Sequence, residues 1–225
     1  MNNFVAVVLS LSLVIAGCAS SGGAADGKRG MTNTEKGAII GAVGGAVVGA
    51  AVSDKRGKGA LIGAVGGGLA GGAVGAYMDS QKQDLEKNLK KERDAGNARV
   101  EKLPDDVVKI TMTNQTAFDT GSAEIKPSFR ATMDRLAEVV VRYGKTSLTI
   151  VGHTDSEGTT QFNQELSRKR AQAVADYFRS KNVNPARLEA IGKGEAEPVA
   201  SNKSEAGRQA NRRVEIFVEP VRAES

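Results

Sequence analysis

Arg170 sits where a charge needs a partner. Taking 100° per residue along the helix expected from about Thr160 to Lys181 places Phe162, Leu166, Ala173 and Tyr177 in one apolar arc, continued by Val174 and Phe178. Asn163, Ser167 and Arg170 fall inside that arc. Burying a guanidinium unpaired is very costly, so an acceptor must come from elsewhere in the chain. The loop Gly152-His153-Thr154-Asp155 offers one, fifteen residues before Arg170. The two charges can bridge each other, or they can divide the opposite charges of a ligand between them. Other chemistry is scarce. One Cys and one His exclude an intramolecular disulfide, a multi-Cys zinc site and a His-rich metal centre. With no acid pair and no marked nucleophile, the chain is expected to be a binding protein rather than an enzyme, without metal or cofactor. His153 reads as a loop residue with a satisfied ring.

The elements that must position these residues alternate between strand and helix. Val107–Met112, Ser147–Gly152, Leu188–Gly192 and Val214–Val218 read as strands. Pro127 opens a helix whose Phe129, Met133, Leu136, Val140 and Tyr143 share one face. Strands interleaved with amphipathic helices predict an α/β fold, a two-layer sandwich.

At these residues the sequence resembles a known family. Gly152-His153-Thr154-Asp155, Asn163 with Leu166-Ser167, Arg170-Ala171 and Asn211-Arg212-Arg213-Val214-Glu215-Ile216 are similar to the OmpA-like peptidoglycan-binding domain. Phe118-Asp119 and Ser122-Ala123-Glu124-Ile125-Lys126-Pro127 fit that family's entry to its first helix. The likeness covers roughly residues 104–220, with 221–225 as a tail. It implies non-covalent binding of peptidoglycan through the diaminopimelate of the stem peptide, whose free end carries one ammonium and one carboxylate. By motif position Asp155 would take the ammonium and Arg170 the carboxylate, as charge-assisted hydrogen bonds. Thr154, Asn163, Leu166 and Ser167 would shape the pocket, with Arg212 and Asp119 at its margin.

The N-terminus carries a different signal. Phe4–Ala16 is a nearly unbroken apolar run of 13 residues, short for a membrane span and right for a secretory signal. It ends in Ile15-Ala16-Gly17-Cys18, which resembles the lipobox of bacterial lipoproteins and makes Cys18 the expected lipidation site, with residues 1–17 removed. Ala19 follows, and by resemblance this favours the outer membrane. Residues 18–35 read as a flexible tether.

Lys36–Gly45 recurs as Lys58–Gly67 with nine of ten residues identical. Gly37, Gly41, Gly45 and Gly49 step by four, as do Gly59, Gly63, Gly67, Gly71 and Gly75, a smooth groove for a second helix. The pattern looks like a glycine zipper and predicts a helical hairpin over 36–78 that could self-associate as a homo-oligomer. At about 1.5 Å per residue only its second arm, 59–78, reaches about 30 Å, the thickness of a bilayer core. Residues 79–103, charged with only Leu85 and Leu89 on a stripe, predict a solvated helical spacer.

Charge is unevenly spread: 18 Lys/Arg against 17 Asp/Glu after residue 103, and 13 against 9 before it. The C-terminal part therefore lacks the basic excess of a nucleic-acid binder. Together the segments resemble the YiaD-type outer-membrane lipoproteins, lipid-anchored with the C-terminal domain in the periplasm, tethering membrane to wall. Two alternatives stay open: a glycine-zipper pore or membrane-perturbing element localised by wall binding, and a stator-like inner-membrane anchor. The second needs an uncleaved, usually acid-bearing span, and Phe4–Ala16 has neither the length nor the acid.

Overall fold

Val108, Ile110 and Met112 alternate with Lys109, Thr111 and Thr113, so this segment forms a strand with one face buried. In the computed structural model, which describes residues 69, 73–113 and 117–222, it is β2, Val108–Thr113. It joins β1 (Ala98–Lys102), β3 (Thr146–Gly152), β4 (Leu188–Gly192) and β5 (Arg213–Pro220) in a five-stranded sheet of order β1-β2-β5-β3-β4. Only the β3–β4 pair is parallel, with Gly152 opposite Gly192; the other neighbours are antiparallel. Helices α1 (Ala73–Asn88), α2 (Lys90–Asp94), α3 (Pro127–Arg142), α4 (Thr160–Ser180) and α5 (Glu205–Asn211) complete the fold. The principal core is formed by Ile110, Met112, Leu148, Ile150, Ile216 and Val218 with Met133, Leu136, Val140, Val174 and Phe178. Cys18, the signal segment, the tether and nearly all of the glycine unit lie outside the described residues.

The predicted face of α3 is the buried one, with Phe129, Met133, Leu136 and Val140 in the core and Tyr143 packed against it. Its C-terminal carbonyls, which a helix leaves without partners, are closed by a buried arginine. Arg187 Nη2 donates to Val140 O and Tyr143 O, both at 3.0 Å, and Nε to Thr146 O at 2.5 Å.

The spacer reading of 79–103 is corrected. Val74, Met78, Gln81 and Leu85 form one buried stripe of α1, continued by Leu89 just beyond it, so the helix packs on the domain rather than standing in solvent. Charges on α1 and α2 reach α3: Arg142 Nη1 lies 2.9 Å from Asp84 Oδ2, and Arg135 Nη2 lies 2.5 Å from Glu92 Oε1. Residues 98–102 are an edge strand. The end of the glycine unit is likewise part of the domain: Leu69 N donates to Val221 O at 2.8 Å, and α1 starts at Ala73. The helical hairpin expected over 36–78 therefore does not run unbroken to residue 78, since Leu69 lies in an isolated bridge and Ala73 opens a helix of the domain. Among the described residues, no helix is long and apolar enough to cross a membrane.

Helix α4 approaches the parallel strands unusually closely. A Cβ on Gly152 would lie 2.1 Å from Ser167 O, and one on Gly192 would lie 2.6 Å from Arg168 N. The buried face is consequently Asn163, Ser167, Arg170, Ala171, Val174, Ala175 and Phe178, so the expected arc is buried on the side of Val174 and Phe178 while Phe162, at its other edge, is 52% exposed. Small and polar residues face the glycines because nothing bulkier fits. Gly152→Ala is expected to cost about 3 kcal/mol by overpacking, read as a lower urea midpoint. Gly144→Ala, whose added carbon meets nothing nearer than 3.9 Å, is expected to stay within about 0.5 kcal/mol of the parent.

Candidate functional site

The loops after β3 and β4 meet the first half of α4, where an open α/β sheet places its ligands. Thr159 caps the helix, its hydroxyl accepting from Phe162 N at 3.2 Å. Ser167 Oγ accepts from Gly194 N at 2.9 Å and donates to Gln164 O at 2.8 Å. Asn163 Nδ2 donates to Glu195 Oε2 at 2.6 Å. These two residues, expected to shape a pocket, bind α4 to the loop after β4. Leu166 is half-buried on the same helix.

Arg170 is 3% exposed. Its Nε donates to Ser122 O at 2.8 Å and its Nη2 to Asp119 O at 3.2 Å, with the guanidinium 5.4 Å from the Phe118 ring centroid. The loop delivering those carbonyls is closed by Lys126 N donating to Ala117 O at 2.9 Å. Asp119 therefore contributes its backbone, while its carboxylate is exposed and 2.9 Å from Lys126 Nζ. Burial pushes Arg170 down to about 10, against the pull of the Asp155 charge and with the push of Arg212, so it remains a cation near neutrality.

Asp155 is 6% exposed. Its Oδ1 accepts from Glu157 N at 3.0 Å, and its Oδ2 lies 2.5 Å from Arg212 Nη1. The direct Asp155–Arg170 bridge left open by the sequence is not the arrangement; Asp155 pairs with Arg212, which was expected only at the margin. Thr154 N donates to Gly194 O at 2.9 Å, and its buried hydroxyl has no hydrogen-bond partner among the described residues. Arg212 Nη2 donates to Glu205 Oε1 at 2.6 Å. Although burial disfavours its charge, the bonds to Glu205 and Asp155 raise its pKa overall. Sequence reasoning missed Glu205 and Glu195, since nothing in their spacing distinguishes them from other surface acids.

Each residue of Asn211-Arg212-Arg213 does separate work. Asn211 Oδ1 accepts from Val199 N at 2.8 Å and Ala200 N at 3.0 Å, which fixes the loop before α5. Arg213 Nε donates to Glu215 Oε1 at 2.8 Å, and His153 Nε2 lies 3.8 Å from Glu215 Oε2.

The profile of the OmpA family matches residues 117–212, which include Asp119, Asp155, Arg170 and Arg212, and that of the YMGG-like Gly-zipper matches residues 1–79. "Probable lipoprotein YiaD" of Escherichia coli strain K12 is 37% identical over 219 residues, covering 96% of this chain and 97% of that one. The chain belongs to the YiaD-like lipoproteins of the OmpA family. Its OmpA-like domain is similar to the structure of the cell wall anchor of the T6SS from Pseudomonas aeruginosa, at 33% identity and TM-score 0.56, over 60% of this chain and 96% of that one. A MotB-like protein from Desulfovibrio vulgaris shares the fold at 24% identity and TM-score 0.58, over 66% of this chain and 94% of that one.

The cluster beneath the OmpA-like site makes stability depend on pH. Burial lowers the pKa of His153 below 6.5, so on acidification the unfolded chain takes up that proton first and the stability present above about 6.5 is lost below it. Burial opposes ionisation of Glu215, but His153 and Arg213 hold it at about 2 against 4.5, so its contribution stays intact down to about 4.5. The thermal midpoint is therefore expected to fall between about pH 7 and about pH 5, and His153→Gln to flatten that fall. An equal fall in the variant would assign it to other groups.

Proposed function

We propose that this protein is an outer-membrane lipoprotein, lipidated at Cys18, whose periplasmic OmpA-like domain binds peptidoglycan through the diaminopimelate of the stem peptide. The observation that carries the reading is Arg170: a buried cation held by two backbone carbonyls, with no carboxylate in direct contact among the described residues, close enough to the buried Asp155 to feel its charge. A site built this way suits a ligand end bearing one carboxylate and one ammonium. Arg170 takes the carboxylate, and Asp155 takes the ammonium. In this reading Thr154, whose buried hydroxyl has no hydrogen-bond partner among the described residues, and the half-buried Leu166 shape the pocket. The names of its relatives, a lipoprotein and a cell wall anchor, support the same reading. The protein does no covalent chemistry in this proposal; it fastens membrane to wall.

Each charged hydrogen bond contributes roughly 1.5–3 kcal/mol, so removing one is expected to weaken binding about ten-fold or more. Asp155→Asn and Arg170→Ala full-length protein in detergent is expected to remain in the supernatant when insoluble peptidoglycan is sedimented. A circular dichroism melt of each variant identifies any unfolding. If folded forms of both variants sediment like the parent, the diaminopimelate site is elsewhere.

For the anchor, Cys18→Ala is expected to accumulate as unprocessed precursor outside the outer-membrane fraction. Normal cleavage and unchanged fractionation of this variant would refute lipidation at that residue.

A further inference from the structure

The site is neutralised from within before any ligand arrives. Asp155 Oδ2 is occupied by Arg212 Nη1 at 2.5 Å, and its Oδ1 accepts from Glu157 N at 3.0 Å. Arg212 is itself stretched between two acids, since its Nη2 donates to Glu205 Oε1 at 2.6 Å. The Asp155 side chain is 8% exposed, that of Arg212 22% and that of Glu205 62%, so the guanidinium bridges a buried acid and a solvated one. The other Glu205 oxygen accepts from Arg208 Nη2 at 2.6 Å, and Arg208 Nε lies 3.1 Å from Glu157 Oε1.

An ammonium seeking Asp155 meets a like charge on the oxygen it needs. The guanidinium has to yield, and yielding into a partly buried space without another acid would leave a cation unpaired at high cost. Glu205 removes that cost, because Arg212 can release Asp155 while keeping one charge-assisted hydrogen bond.

We infer that Glu205 is the positioning residue that draws Arg212 off Asp155 when an ammonium-bearing ligand enters, an inference that rests on the wall-binding reading above. Arg212 then keeps Nη2 on Glu205 and turns Nη1 toward the ligand's carboxylate, beside Arg170. The charges support the exchange: two guanidiniums and two carboxylates sum to zero, as does a ligand end with one ammonium and one carboxylate. Balance is kept before and after binding. An exposed pair such as Glu205–Arg212 adds little to folding, so its loss registers in binding.

The test is calorimetric titration of the full-length chain in detergent with a soluble stem tripeptide ending in diaminopimelate, well below each variant's thermal midpoint. Glu205→Gln is expected to weaken binding about five-fold and Glu205→Lys by more, because Arg212 is then left to Asp155 as an internal competitor. Arg208→Gln, which removes the neighbouring pair but leaves Glu205–Arg212, is expected to stay within about two-fold of the parent. Parent-like affinity in Glu205→Gln overturns the inference. So does an equal loss in Arg208→Gln, which would trace the effect to the pairs of Arg208 with Glu205 and Glu157 rather than to Glu205–Arg212. Failure of the unmodified chain to bind the tripeptide overturns the wall-binding reading and this inference with it.

Discussion

The fold turns on the absence of two methyl groups. Gly152 and Gly192 close the parallel strands β3 and β4, and the backbone of α4 at Ser167 and Arg168 lies against them at a distance no other residue permits. That contact fixes which face of α4 turns inward. Once Ser167 is seated, Asn163 and Arg170 on the same face are carried in with it, and the loop from Gly152 brings Asp155 to meet them. Fifteen residues of sequence separation become one site because a helix and the strand before it are pressed together at a glycine.

Two buried arginines show how similar surroundings lead to different roles. Arg170 and Arg187 are each pushed down to about 10 by burial, and each is held by backbone carbonyls. Arg187 closes the C-terminal carbonyls of α3, where a cation also suits the negative end of the helix. Arg170 is held by the carbonyls of a loop rather than a helix end, and it shares its surroundings with the charges of Asp155 and Arg212. One guanidinium completes a helix; the other is a buried positive charge fixed by a loop.

Helix α1 and strand β1 alter the boundary of the domain. They add an apolar stripe from Val74 to Leu89 against α3 and an edge strand beside β2. The OmpA-like domain thus extends back into the last residues of the glycine unit, and the ion pairs from Asp84 and Glu92 to α3 hold that extension in place. The partly solvated pair of Asp84 with Arg142 contributes little; the buried side chains of Met78, Leu85 and Leu89 do most of the holding.

Much of this is legible in the sequence, for a definite reason. Strands β2 to β5 and helices α3 and α4 follow from local periodicity, and the charge of Arg170 in an apolar arc announced a buried cation, whose partners are the carbonyls of Ser122 and Asp119. Charge and period are properties of single residues and their near neighbours. The tertiary structure alone decided the rest, because it depended on what faces what. Leu85 and Leu89 made a stripe too narrow to announce burial until α3 covered it, and Phe162 looked like part of a buried face whose edge the glycine contact left in solvent. Arg212 lies fifty-seven residues from Asp155, and only the folding of β5 beside β3 made them a pair.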